Sequence, residues 1–148
     1  MNKTKDIKLR DYQQECIKSV QQAGAGSHLI VMATGLGKTV TFANIPRQGR
    51  TLILSHREEL VKQPQKYFDC SFGIEKANKH SNGEEVVSAT VQTISRDKRL
   101  NSFSKGDFDT IITDEAHHAK AQSYQKIIDY FKPRVHLGFT ATDRKSVV

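Results

Sequence analysis

An apolar run, Leu29-Ile30-Val31, leads directly into Met32-Ala33-Thr34-Gly35-Leu36-Gly37-Lys38-Thr39, and this junction constrains the chain more than any other stretch. The run is short enough for a buried strand, and Val40 to Ile45 can continue as a helix. A strand, a turn carrying glycines and a Lys-Thr pair at a helix start make a phosphate cradle. Glycine lets the backbone bend until successive N–H groups point inward, and the helix N-terminus adds the positive end of its dipole. In such a cradle Thr34, Gly35, Leu36 and Gly37 line the phosphates. Lys38 reaches the outer phosphates as a point charge, and the Thr39 hydroxyl ligates the accompanying magnesium ion. The strict Walker A pattern has glycine where Met32 stands, but Gly35-x-Gly37-Lys38-Thr39 is intact. The bland alternative is a Gly-rich strand-to-helix turn with no ligand.

The rest of the chain supplies the setting. Asp11 can cap a helix from Tyr12 to about Ala23, with Tyr12, Cys16, Ile17 and Val20 on one face. Gly24-Ala25-Gly26-Ser27 ends it, and the first strand covers about Leu29 to Ala33. The helix after the cradle stops near Pro46, Gln48-Gly49-Arg50 turns, and Thr51 to Leu54 reads as a second buried strand. Ser55-His56-Arg57-Glu58 fits a capping box for a helix that Pro64 should kink or restart. Phe72 to Ala77 is a weak strand, Lys79 to Glu84 a polar loop, and Val86 to Ala89 a better strand leading into Thr90–Ile94. Ser95 to Asp107 is charged and poorly patterned, with Leu100 and Phe103 as anchors. Thr110 to Thr113 is a strand ending in Asp114-Glu115. Ser123 can cap a helix whose Tyr124, Ile127, Ile128 and Phe131 fall at helical spacing until Pro133, and Val135 to Phe139 is a last strand running into Thr140-Ala141-Thr142. Strands alternating with helices predict an α/β fold, a parallel sheet covered on both faces. In such sheets ligands sit at the carboxyl ends of the strands. The cradle, Asp114-Glu115 and Thr140-Ala141-Thr142 all come at strand ends.

That placement gives the carboxylates a chemistry. Asp114, directly after a buried strand, can hold a magnesium ion, directly or through water, and Glu115 can orient a water for attack on a terminal phosphorus. The alternative is an exposed acidic pair. His117 and His118 follow at once. His117 can relay between the phosphate end and Thr140-Ala141-Thr142, whereas metal binding lacks a further ligand cluster.

Composition bounds the remaining classes. With 148 residues the chain has room for one domain, and a net charge of +7 favours polyanion partners. Cys16 and Cys70 lie far apart with no CxxC, so neither a disulfide framework nor a zinc site is expected, and an intracellular, cytoplasmic setting fits. No run approaches the length needed to span a bilayer, so no membrane association is expected.

These residues carry a family resemblance. The chain resembles the first RecA-like domain of a superfamily 2 helicase or translocase of the DEAH type, nearest to the branch holding type I and III restriction motors, XPB-like repair helicases and phage helicases. The likeness runs from Leu9 to Arg144. Leu9-Arg10-Asp11-Tyr12-Gln13 resembles the adenine-reading Q motif, Ala33 to Thr39 motif I, and Leu54 to Leu60 motif Ia. Ala89 to Ile94 is similar to motif Ib, Asp114-Glu115-Ala116-His117 to motif II, and Thr140-Ala141-Thr142 to motif III. The resemblance implies that ATP and Mg2+ are the cofactors and that Gln13, with Arg10 nearby, reads the adenine edge. It implies that Arg57 and Thr93, at helix starts, contact phosphates of one nucleic-acid strand, DNA before RNA. It also implies that Thr140 and Thr142 couple ATP state to that strand.

Two departures matter. Asp143-Arg144 follows motif III directly, and nothing resembles motifs IV to VI. The expectation is therefore a single domain over residues 1–148, one lobe of a motor whose second RecA-like domain lies elsewhere. By itself it should hydrolyse ATP slowly and not unwind a duplex. Two other readings compete: a small-molecule P-loop NTPase or kinase, with Ser95 to Asp107 as its only candidate lid, and a degenerate nucleotide-binding or regulatory module.

Overall fold

The computed structural model describes residues 11–33, 38–76, 79–114 and 121–142, without the side chains of residues 12, 32, 33, 38, 42, 121, 141 and 142. The expectations placed on Arg10, Thr34, Gly35, Leu36, Gly37, Glu115 and His117 lie outside the described residues.

Six strands form one sheet: β1 (Gly26–Ala33), β2 (Thr51–Ser55), β3 (Phe72–Glu75), β4 (Val86–Thr90), β5 (Thr110–Asp114) and β6 (Val135–Thr142). Every pair is parallel and the spatial order is β1-β6-β5-β2-β4-β3. β2 and β4 are buried at every position, as expected of central strands covered on both faces. Alternate side chains then feed two cores. On the first face Ile53, Val86, Ile112, Leu137 and Phe139 pack with Ile17 and Val20 of α1 (Asp11–Ala23) and Ala43 of α2 (Lys38–Ala43). On the second, Leu52, Leu54, Val87, Ala89 and Ile111 meet α3 (Val91–Ile94), α4 (Asp97–Leu100) and α5 (Ala121–Phe131).

The connections obey one hand. The outward steps, β1 to β2 and β2 to β3, run over the first face through α2 and through Tyr67 and Phe68. The return steps, β4 to β5 and β5 to β6, run over the second face through α3, α4 and α5. A reversal of direction with a reversal of face is what uniformly right-handed crossovers require.

Local chemistry explains most boundaries. α1 ends because Gly24 adopts φ 73, the left-handed conformation that glycine takes without strain, and its N–H closes on the Val20 carbonyl at 3.3 Å. α5 buries Ile127 and Phe131 with Tyr124 and Ile128 packed beside them, the face that the spacing predicts.

Several expectations are corrected. Ser55 is the buried last residue of β2, not a cap; Arg57 occupies the cap position with no side-chain cap bond. The helix expected after it is two short 3-10 turns, Glu58–Leu60 and Gln63–Tyr67. Pro64 stands in the first turn of the second, where its missing N–H costs nothing but where it breaks any continuous α-helix. Ser123 lies inside α5, which begins at Ala121. Thr140-Ala141-Thr142 is not a loop beyond β6 but its last three residues, because β6 pairs with β1 over all eight positions.

A polar chain crosses the second face beneath α5. The Thr113 hydroxyl lies 2.9 Å from the Tyr124 hydroxyl, which is 3.4 Å from His136 Nδ1, and Ser27 Oγ is 3.3 Å from the same nitrogen. His136 Nε2 is buried without a partner, and burial pushes the imidazole pKa below its usual 6.5. The unfolded chain then binds a proton more readily than the fold does. The stability held above pH 6.5 is lost as pH falls through that value toward the lower folded pKa. Urea midpoints measured at pH 7 and pH 5 are expected to fall less for His136→Gln than for the native chain; equal falls would contradict this assignment.

Candidate functional site

The sheet gathers the sequence motifs along one edge, the carboxyl ends of its strands. β1 ends at Ala33 and α2 begins at Lys38, so the cradle segment spans four residues between a strand end and a helix start. Lys38 and Thr39 are the first two residues of α2, and Thr39 is half-buried. Asp114 ends β5 and is half-buried too. β6 runs between β1 and β5, so the ends of the two motif-bearing strands stand two strand spacings apart, roughly 10 Å. Register fixes their heights. Asp114 is level with Phe139, whereas Ala33 is level with Thr142, three positions farther along β6. Thr140 and Thr142 therefore lie on the strand that bridges the cradle side and the carboxylate side, level with Val31 and Ala33.

Those residues suit a magnesium ion. The ion takes hard oxygen ligands, keeps several waters, and is held by one or two protein groups plus substrate phosphates. One hydroxyl at a helix start and one carboxylate across a single intervening strand are that kind of donor set. A cluster of three acidic or imidazole side chains is not required, and among the described residues none occurs.

Gln13 departs from what its polar side chain alone suggests. Read without a ligand it is a helix-surface residue, yet it is only 5% exposed and has an interaction partner. A buried amide needs its donors and acceptor answered.

The other half of the same sheet edge carries the second set. Arg57 follows β2 and is exposed. Thr93 follows the adjacent β4, but the helix cap there is Thr90, whose Oγ accepts the Thr93 N–H at 3.1 Å and donates to the Thr93 hydroxyl at 2.8 Å. Thr93 is thus one turn into α3 and buried, with both groups engaged in the cap. The side chain open to solvent at this turn is Gln92, which donates to the His56 carbonyl at 3.3 Å and ties the α3 turn to the segment holding Arg57. Sequence reading passed over Gln92 because a lone exposed amide has no pattern; only the pairing of β2 with β4 brings it beside Arg57.

The segment from Ser95 to Asp107 is not a lid. Leu100 is buried, Phe103 packs its ring 5.6 Å from Phe108 and 5.9 Å from Phe131, and Tyr130 donates to the Phe103 carbonyl. It leads into the amino end of β5, the opposite end of the strand from Asp114.

Comparison with known proteins shows the family and the fold. Residues 6–145 match the family described as "Type III restriction enzyme, res subunit". The chain is 38% identical over 163 residues to the Saccharomyces cerevisiae protein named ATP-dependent helicase IRC3, covering 90% of this chain and 23% of that protein. It is 30% identical over 144 residues to the Haloarcula marismortui protein named DNA 3'-5' helicase Rad25, covering 92% of this chain and 23% of that one. Among solved structures, the Pyrococcus furiosus Hef helicase domain superposes with a TM-score of 0.71 at 25% identity, over 90% of this chain and 32% of that one. The UvsW helicase of bacteriophage T4 gives 0.74 at 18% identity, over 93% and 54%, a likeness of fold. The chain spans about a quarter of the length of the curated relatives it matches. Its fold is that of a RecA-like helicase domain, and the chain belongs to the family of type III restriction enzyme res subunits.

Proposed function

We propose that this chain is the ATP-binding lobe of a nucleic-acid helicase or translocase acting on DNA inside the cell. The observation that carries the reading is the arrangement of α2 and Asp114 on either side of β6, which brings Lys38, Thr39 and Asp114 to one sheet edge. Lys38 holds the outer phosphates of ATP, and Thr39 and Asp114 hold Mg2+, which when bound neutralises phosphate charge. Glu115 orients the attacking water. His117 links the nucleotide to Thr140 and Thr142 on the bridging strand. Gln13 and Arg10 hold the adenine. Arg57, exposed just beyond β2, faces the phosphates of one strand, whereas Thr93 is taken up by the Thr90 cap. Relatives named as helicases support this reading, as does a net charge of +7.

A second RecA-like domain completes the site. An arginine supplied across such a cleft contributes about 10³ to 10⁵ in rate in related NTPases, so this chain alone turns over slowly and does not unwind a duplex. The kinase reading loses its lid to the packing of Phe103.

Salt tests the nucleic-acid half. Binding of fluorescent single-stranded DNA should weaken steeply with salt, because phosphate contacts release counterions at a slope of about 0.7 per contact. Arg57→Ala should lower the slope by about that amount. Binding that ignores salt, or a slope unmoved by Arg57→Ala, would remove Arg57 from the interface.

A further inference from the structure

Tyr124 touches two of the three strands that carry the site and reaches the third through one imidazole. Thr113 of β5 donates its hydroxyl to the Tyr124 hydroxyl at 2.9 Å, and His136 Nδ1 of β6 lies 3.4 Å from the same oxygen. Ser27 of β1 stands 3.3 Å from that nitrogen. The rings of Tyr124 and His136 are tilted against each other, with centroids 5.1 Å apart. Packing does not require the tyrosine hydroxyl. The ring already lies against the second-face core beside Ile128, and a phenylalanine would fill that place equally well. What the hydroxyl adds is the bond to Thr113, whose side chain is completely buried and whose own hydroxyl therefore needs a partner.

Thr113 stands immediately before Asp114, where β5 loses one of its neighbours. The ladder to β2 ends at Leu54 and Thr113, while the ladder to β6 runs on to Asp114 and Phe139. Among the described residues, Asp114 is therefore paired into the sheet from the β6 side alone. Successive side chains of a strand point to opposite faces. Ile111 and Thr113 look onto the second face, beneath α5, so Asp114 shares the first face with Ile112, the face that α2 covers through Ala43. A roll of the strand end about its own axis would swing both side chains at once. Held from behind at Thr113, the strand end resists that roll and the carboxylate keeps its aim toward the α2 side of the sheet. Mg2+ punishes misalignment, since it demands near-ideal octahedral geometry. We infer that Tyr124 is a positioning residue for Asp114, acting through the Thr113 hydroxyl, and that it sets the affinity of the nucleotide site for Mg2+. This rests on the reading above in which Thr39 and Asp114 hold that ion. Tyr124 is the fourth residue of α5, so the helix returns to pin the strand that the chain has just left. Ile127 and Phe131 bury the rest of α5 in the same core, which makes the helix a firm post for the bond.

The experiment titrates Mg2+ into the chain with a fluorescent ATP analogue and reads the Mg2+ concentration at which half the gain in affinity is reached. Tyr124→Phe and Thr113→Val each remove one hydroxyl and keep the shape. Each should raise that concentration by about three- to tenfold, the worth of one hydrogen bond, and the double variant should be no worse than either alone. Affinity without Mg2+ should stay at the native value in all three. Thr113→Ser keeps the hydroxyl and should keep the native Mg2+ response; with Tyr124→Phe it carries the comparison if Thr113→Val does not fold. Phe103→Ala loosens the same layer away from this bond, so it should lower the thermal midpoint and leave the Mg2+ response where it was. A native chain that gains nothing from Mg2+, or an Asp114→Asn variant that responds as the native chain does, would sink the nucleotide reading and the positioning role with it. Loss of the response in Asp114→Asn, with a native response in Tyr124→Phe and Thr113→Val, would leave the nucleotide reading standing and overturn the role of Tyr124. So would an equal shift in Phe103→Ala, which would make the effect one of general loosening.

Discussion

Glu115→Gln is expected to reduce ATP turnover by about 10² to 10⁴, the usual worth of a positioned general base, while leaving nucleotide affinity nearly intact. The amide keeps the size and one acceptor of the carboxylate but loses the charge that draws a proton from the attacking water. A loss confined to turnover locates the residue in the chemical step. Single-turnover hydrolysis with enzyme in excess reads that step without relying on the slow steady-state rate expected of a lone lobe. Turnover equal to that of the native chain would remove Glu115 from the role. A parallel loss of binding and turnover would point to a damaged cradle instead.

The largest effect on stability is expected from Phe131→Ala. Phe131 is 1% exposed at the end of α5 and forms the centre of an aromatic group. Its ring lies edge-on to Phe108 at 4.9 Å and to Tyr130 at 5.1 Å, with Phe103 at 5.9 Å. Two stretches far apart in sequence meet on it: α5, and the segment from the loop after α4 to the entry to β5. Removing it leaves a cavity that rigid neighbours fill poorly, at a cost of about 3–5 kcal/mol. For a chain of this size that lowers the thermal midpoint by roughly 6–20 °C. Phe103→Ala, at a half-buried position, should cost distinctly less. Equal midpoints for the two variants would mean that Phe131 is not the keystone of this layer.

Much of the architecture was legible because the physics behind it is local. β2 and β5 are apolar runs buried on both faces, and Tyr124, Ile127, Ile128 and Phe131 repeat at a helical period that survives in α5. Other features are set by partners that sequence distance hides. The Glu75 carboxylate is 2% exposed, yet it accepts from the Ser81 N–H and hydroxyl and from Arg99 at 2.7 Å. Nothing at Glu75 itself announces that burial, because its cation is 24 residues away, on α4. Ser55 failed as a cap for a similar reason: β4 and β5 flank its strand and draw it into the sheet before the chain can turn. Gln13 stands four and seven residues before Ile17 and Val20, on the face of α1 that packs against the sheet, so the spacing places it inward and only its polar side chain disguised the burial. In the candidate site, the order of the motifs was readable. The position of β6 between the cradle strand and the Asp114 strand was not, since sheet order follows from pairing and handedness over the whole chain.

The central claim is that α2 opens a nucleotide site completed across β6 by Asp114. Titration of the chain with a fluorescent ATP analogue, with and without Mg2+, against Lys38→Ala and Asp114→Asn tests it most directly. Binding should require Mg2+ for full affinity. Lys38→Ala should weaken it by about 10- to 100-fold, the worth of a hydrogen bond to a charged group left unmade. Asp114→Asn should remove most of the Mg2+ dependence. Affinity unchanged by Lys38→Ala, or no binding by the native chain at all, would contradict the account.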